Sequence, residues 1–149
     1  MGMNVNLRDW LNNGWLVEHA SSKEEVANLL AITDRDLSSC MVKGLNPDWR
    51  LNIAYNAALQ AATTALAAEG YRASRDSHHY RVIQSLAFTI GADGDLVTKL
   101  DGFRKKRNIG DYERAGVVSD READEMAGMA SALCKSVRDW LKKEHPELI

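Results

Sequence analysis

Apolar residues along this chain recur at spacings of three and four, and runs of alternating β-branched residues are missing. That periodicity marks amphipathic helices and not strands, so the pattern predicts an all-α protein. A short helix is predicted over Leu7 to Asn13, stopped by Gly14. The next opens at Ser22, where Ser22-x-x-Glu25 is a capping box; its inward stripe is Val26, Leu29, Leu30, Thr33, Leu37 and Cys40, with an end near Gly44. Asn46-Pro47-Asp48 marks a third start, with a cap, a proline in the first turn and an acid where the helix dipole favours it. This helix is expected to run to Glu69 and stop at Gly70.

A further segment begins at Ser77 and shows Val82, Ile83, Leu86, Ala87 and Ile90 on one face before Gly91. After Asp93-Gly94-Asp95 the stripe is Leu96, Leu100 and Phe103, and Gly110 is expected to release the chain, leaving Asp111 and Tyr112 just beyond the helix end. Ser119-x-x-Glu122, a second capping box, opens the last helix, which buries Ala123, Met126, Ala127, Ala130, Leu133, Val137, Trp140 and Leu141 before Pro146. No linker, low-complexity tract or internal repeat interrupts the pattern. The expectation is one domain over residues 1–149, an antiparallel up-and-down bundle of about five helices.

The helix from Pro47 to Gly70 has two apolar faces, a bulky one of Leu51, Tyr55, Leu59 and Leu66 and a smooth one of Ala54, Ala58, Ala61 and Ala65. Small side chains let a neighbouring helix approach closely, which places this element at the centre. Its third face, Asn52, Asn56, Gln60, Thr63 and Thr64, is polar but uncharged. Two readings stand for that stripe: a covered surface such as a homodimer interface, or a partly exposed face with no role. The stripe also separates Leu51 to Ala68 from a membrane span, because a lipid-facing helix does not tolerate it comfortably.

Composition narrows the classes. The chain has 149 residues, of which 45% are hydrophobic, 27% charged and 7% aromatic, with a net charge of −2. A chain of this length buries enough surface to fold without a metal or disulfide staple. Nineteen basic against twenty-one acidic residues exclude a generic nucleic-acid coat but leave room for a local basic patch. Cys40 and Cys134 belong to no Cys-x-x-Cys pair, so neither a disulfide framework nor a structural zinc site is expected. The N-terminal residues lack the basic and apolar blocks of a signal peptide, and a cytoplasmic protein with reduced thiols is the expectation.

The stretch richest in candidate chemistry is Phe103-Arg104-Lys105-Lys106-Arg107-Asn108-Ile109-Gly110-Asp111-Tyr112. Arg107 continues the Leu96, Leu100, Phe103 stripe inward, where an arginine is costly unless a carboxylate or phosphate meets it. It either pairs with Asp111 and staples the helix end, or serves as an anion site. Lys105 and Lys106 are expected to be solvated. In Ser77-His78-His79-Tyr80, His79 shares a face with Ile83, Leu86 and Ile90. Adjacent histidines diverge by about 100° on a helix and do not readily chelate one metal. His79 is therefore either a hydrogen-bonded core residue or a general acid or base. Asp34, Asp36, Glu24 and Glu25 show ordinary surface spacing.

Taken in order, Asp36-Leu37, Ala54-Tyr55-Asn56-Ala57-Ala58-Leu59-Gln60, Glu69-Gly70-Tyr71-Arg72, His78-His79 and Arg104-Lys105-Lys106-Arg107-Asn108 with Asp111-Tyr112 resemble the HEPN superfamily (higher eukaryotes and prokaryotes nucleotide-binding), in its small stand-alone bacterial branch. The resemblance spans residues 22–142 and implies a HEPN-like helical bundle. It also implies a metal-independent, cofactor-free ribonuclease working as a dimer. The family motif is an arginine, a polar residue and, a few positions later, a histidine. Arg107 and Asn108 match its first half and would hold and position the scissile phosphate, with Arg104, Asp111 and Tyr112 as binding residues beside them. Asp111-Tyr112 stands where the histidine would fall, and an aspartate does not donate a proton to a leaving 5′-oxygen at neutral pH without a large pKa shift. His79 is the candidate to replace it. The resemblance further implies a toxin–antitoxin or defence setting with a nucleotidyltransferase partner, or a non-catalytic module that binds RNA or nucleotide or docks that enzyme.

Overall fold

Helix starts are built by the capping side chains that mark them in the sequence. The computed structural model describes residues 6–75, 78–112 and 118–149, and for 107–112 the backbone alone. Helix α1 spans Leu7–Asn12 and is closed by a reciprocal Asn6–Asp9 capping box. Helix α2, Lys23–Ser39, starts where Ser22 Oγ accepts from the Glu25 N–H at 3.1 Å. Helix α3, Pro47–Ala68, starts where Asn46 Oδ1 accepts from the Trp49 N–H at 2.9 Å. Helix α4 is His78–Ser85, α5 is Gly94–Tyr112 and α6 is Asp120–Glu144, the last opened by the reciprocal Ser119–Glu122 box. A short 3-10 turn, Pro146–Leu148, follows.

Four of these helices are long, and their ends fix their directions. Arg50 in the first turn of α3 pairs with Asp120 and Asp124 in the first turns of α6. At the other end, Glu69, the cap of α3, meets His145, the cap of α6, at 2.8 Å. The two helices therefore run parallel. Helix α2 reaches the start of α3 with its last turn, where Arg50 Nε donates to the Cys40 carbonyl at 3.3 Å. Helix α5 approaches that same end with its second half, where Lys106 meets Glu122 at 3.2 Å. So α2, α3, α5 and α6 alternate up, down, up, down, with α3 and α6 paired in parallel across the bundle. Alanines explain how those two come so close: Ala54, Ala58, Ala61 and Ala65 on α3 and Ala123, Ala127 and Ala130 on α6 are all buried. The stripe predicted for α6 is buried as read, apart from Trp140, which is half-buried.

The mostly helical fold is the one expected, and five details differ from the sequence expectation. A small two-stranded ribbon is added to the helices: β1 (Leu16–Glu18) pairs antiparallel with β2 (Tyr71–Ala73), in the register Leu16 to Ala73, Val17 to Arg72 and Glu18 to Tyr71. The fourth predicted segment is not a full bundle helix. Ser85 Oγ donates to the Val82 carbonyl at 2.6 Å, the chain tightens into turns after it, and Ala87 is exposed. A hydroxyl that captures a nearby carbonyl competes with the helical ladder. Third, α5 runs straight through Gly110 to Tyr112, so Asp111 and Tyr112 lie on the helix and not past it. Fourth, Asp36 is not a surface residue. It is 7% exposed and accepts from Asn56 Nδ2 at 2.6 Å. Fifth, Lys106 is tied to Glu122, whereas Lys105 is exposed.

The polar stripe of α3 is half covered by this chain's own atoms. Asn56 reaches Asp36 on α2, and Thr63 and Thr64 donate back to the Leu59 and Gln60 carbonyls. Cys40 and Cys134 are buried and unpaired with each other. Among the described residues, no helix is long and apolar enough to cross a membrane.

Candidate functional site

Tyr80 and His79, neighbours at the start of α4, join that helix to two different elements. Side chains one residue apart on a helix diverge by about 100°. The half-buried His79 ring accordingly turns towards α3, with its centroid 6.1 Å from that of the buried Tyr55 and 5.7 Å from that of His78. Tyr80 turns towards α5, where the Arg104 guanidinium lies 5.6 Å from its ring centre. Arg104 is oriented by Asp101, one turn earlier, which accepts from its Nε at 2.7 Å and also pairs with Lys105 at 3.6 Å. The basic run of α5 thus begins against α4.

Of the residues singled out in the sequence, His79 and Arg104 are placed in full, but they face different elements: Arg104 packs on Tyr80, whereas the ring of its neighbour His79 turns to Tyr55 on α3. Arg107, Asn108, Asp111 and Tyr112 are placed by backbone only, along the last turns of α5, and their side chains lie outside the described residues. Arg107 follows Arg104 by one helical turn. Glu122 opposite Lys106 is held below the usual carboxylate range, first by the Ser119 backbone N–H that it accepts and then by Lys106. No group of three His, Cys, Asp or Glu side chains among the described residues could hold a metal ion.

The sequence reading missed a cluster of arginine and tryptophan beside this junction. The Arg81 guanidinium is centred 3.7 Å over the Trp15 ring and lies 5.4 Å from the ring centres of both Trp10 and Tyr80. Trp10 is buried, with its ring edge-on to Trp15 at 5.9 Å and to Phe88 at 5.2 Å. Guanidinium over an indole face is a favourable cation–π arrangement. The available signal was a pair of tryptophans flanking Asn12-Asn13-Gly14, but nothing local links them to Arg81. A cleft of about 520 Å³ opens next to this cluster, between the strands, α2, α3 and the start of α4. Its walls include Thr63, Tyr71, Arg75 and His78, and the one carboxylate among its described residues, Glu25, is engaged by His19 Nε2 at 2.7 Å.

Compared with known proteins, the chain matches no family model, no curated protein and no solved structure.

Proposed function

We propose that this is an RNA-directed protein of the HEPN type, acting at the α4–α5 junction. The observation that supports this reading is the packing of Arg104 over Tyr80, which draws the start of the α5 basic run to the residue beside His79. On this reading Arg107 and Asn108 hold a phosphate of the RNA, with Arg104, Asp111 and Tyr112 beside them. A guanidinium suits that task because its fork gives charge-assisted, paired hydrogen bonds to phosphate oxygens. His79 would supply the proton that the motif histidine gives elsewhere. Assembly as a homodimer, a toxin–antitoxin or defence setting and a nucleotidyltransferase partner belong to the same proposal and rest on the resemblance alone.

A second reading is favoured by one observation. Because α5 stays helical through Gly110, an acid at position 111 is held one turn beyond Arg107, where the motif calls for an imidazole. That arrangement fits binding of RNA or nucleotide without cleavage. Incubating the purified protein with total RNA in EDTA, beside Arg107→Ala and His79→Ala, separates the two. Cleavage lost in both variants identifies the nuclease; intact RNA that binds wild type but not Arg107→Ala identifies the binding module. Intact RNA with no binding by wild type refutes both.

A further inference from the structure

The outer face of the β1–β2 ribbon is built from residues of an unusual kind for a protein with net charge −2. Side chains alternate across a strand, so burial of Leu16 sends Val17, and Trp15 just before the strand, to the opposite side. Arg72 stands directly opposite Val17, and the Ser74 N–H donates to the Trp15 carbonyl, which carries the pairing one step beyond the strands. Trp15 and Arg72 are therefore diagonal neighbours on one face, about 7–8 Å apart by ladder geometry. Val17 is 38% exposed and Trp15 37% exposed. One face of the Trp15 indole is covered by Arg81, so its exposure belongs to the rest of the ring.

The charges on this face are unspent. Arg35, Arg50, Arg104 and Arg138 each have a carboxylate partner, whereas Arg72, Arg75 and Arg81 have none among the described residues. All three lie within ten residues of one another, around the cleft or the tryptophan. Arg81 lies against Trp15 at 3.7 Å and has no carboxylate partner among the described residues. The surface therefore combines an open aromatic ring with three cations lacking protein anions.

From this geometry we infer that the outer face of the β1–β2 ribbon binds single-stranded nucleic acid, with a base stacked on Trp15 and the backbone phosphates met by Arg72, Arg75 and Arg81. The inference rests on the RNA-directed reading above, but it assigns a surface on the ribbon, which adjoins the α4–α5 junction through Tyr80. Single strands are the fitting ligand because an unpaired base offers a free π-face, while a duplex hides its bases from such a platform. A small phosphate would use the arginines but leave the indole idle. Conversely, an apolar partner would use Trp15 and Val17 but leave three charges without counterparts.

The test is fluorescence anisotropy with a labelled mixed-sequence 12-nucleotide RNA, its duplex and free inorganic phosphate as competitor, over a salt series. The wild type should prefer the single strand. Arg72→Gln with Arg75→Gln, both exposed and therefore harmless to folding, should weaken binding about 10-fold or more and flatten the salt slope by about 0.7 for each lost phosphate contact. Trp15→Leu should weaken it about 10-fold with the salt slope retained, and RNA should quench tryptophan emission in wild type but much less in Trp15→Leu. Equal affinity for duplex and single strand, or displacement by millimolar phosphate, overturns the stacking platform. RNA binding that survives the arginine pair and Trp15→Leu but fails in Arg107→Ala overturns the ribbon and leaves the functional reading standing. A wild type that binds no RNA removes both.

Discussion

Asn56 donates its side-chain N–H to the carboxylate of Asp36 at 2.6 Å, joining the middle of α3 to a buried acid on α2. Arg35 contributes from the solvent side, its Nε donating to the other carboxylate oxygen at 3.2 Å. A buried carboxylate is tolerated only while such partners satisfy it. The same bond gives the uncharged stripe of α3 a role within the chain.

Removing that donor should therefore be costly. Asn56→Ala leaves the inner Asp36 oxygen without its partner and should lower stability by about 1–3 kcal/mol, the usual cost of an orphaned buried polar group. Urea unfolding followed by circular dichroism measures it. An Asn56→Ala protein as stable as wild type would show that the bond contributes little.

Burial governs the thiols. It pushes Cys134 up to about 12 and also raises Cys40, against a small opposing pull from Arg50 on the latter. Only the thiolate attacks disulfide reagents. At pH 8 a folded protein should leave both thiols essentially unmodified by a chromogenic aryl disulfide, while urea releases both at once. The raised value has a sign for stability too. The unfolded thiol ionises near 9.0 and the folded one does not, so stability is complete below that pH and falls as pH rises from 9.0 towards about 12. Cys134→Ala should blunt this alkaline loss, read as thermal midpoints between pH 8 and 11.

Glu122 works in the opposite direction. Its carboxyl is held below the ordinary 4.5 by the Ser119 backbone N–H and then by Lys106. A depressed folded value adds stability that is present above 4.5 and is lost as pH falls through the lower folded value. Glu122→Gln should therefore cost stability near pH 7, only a little because the side chain remains substantially exposed to water, and this difference from wild type should vanish as pH falls well below 4.5, which flattens the acid limb of the profile. Ser119→Ala removes the reciprocal cap and should cost about 1 kcal/mol at neutral pH. Thermal unfolding in a pH series separates the two variants.

What could be read from the sequence was what neighbouring residues decide among themselves. Ser22, Asn46 with Pro47, and Ser119 with Glu122 fix helix starts through bonds three residues long, although the expected Ser22–Glu25 box is one-sided, because the Glu25 carboxylate is engaged by His19 and does not reach back to Ser22. The α6 stripe was equally legible because one helix face carries it. The ribbon was not, since three-residue strands leave too few positions to show a period and owe their existence to a partner far along the chain. Asp36 was misread for a similar reason: its burial is decided by Asn56 on another helix. Glycine often ends helices, yet Gly110 remains inside α5. At the candidate site, spacing points to His79, and the basic run with the family resemblance points to Arg104, whereas Arg81 and Trp15 meet only once the chain has folded.

The pairing of Leu16 with Ala73 also sets an order of events. The whole α2–α3 hairpin lies between the two strands, so closing the ribbon first would cost the entropy of a long loop with nothing yet gained. Helices with short connections form sooner than distant strand pairs. The ribbon is therefore expected to close after the hairpin has docked, and the surface bearing Trp15 to form only with it. In stopped-flow refolding, the tryptophan signal lost in Trp15→Leu should lag the helical signal. Its arrival reports completion: only a finished bundle can display the arginines and the indole together.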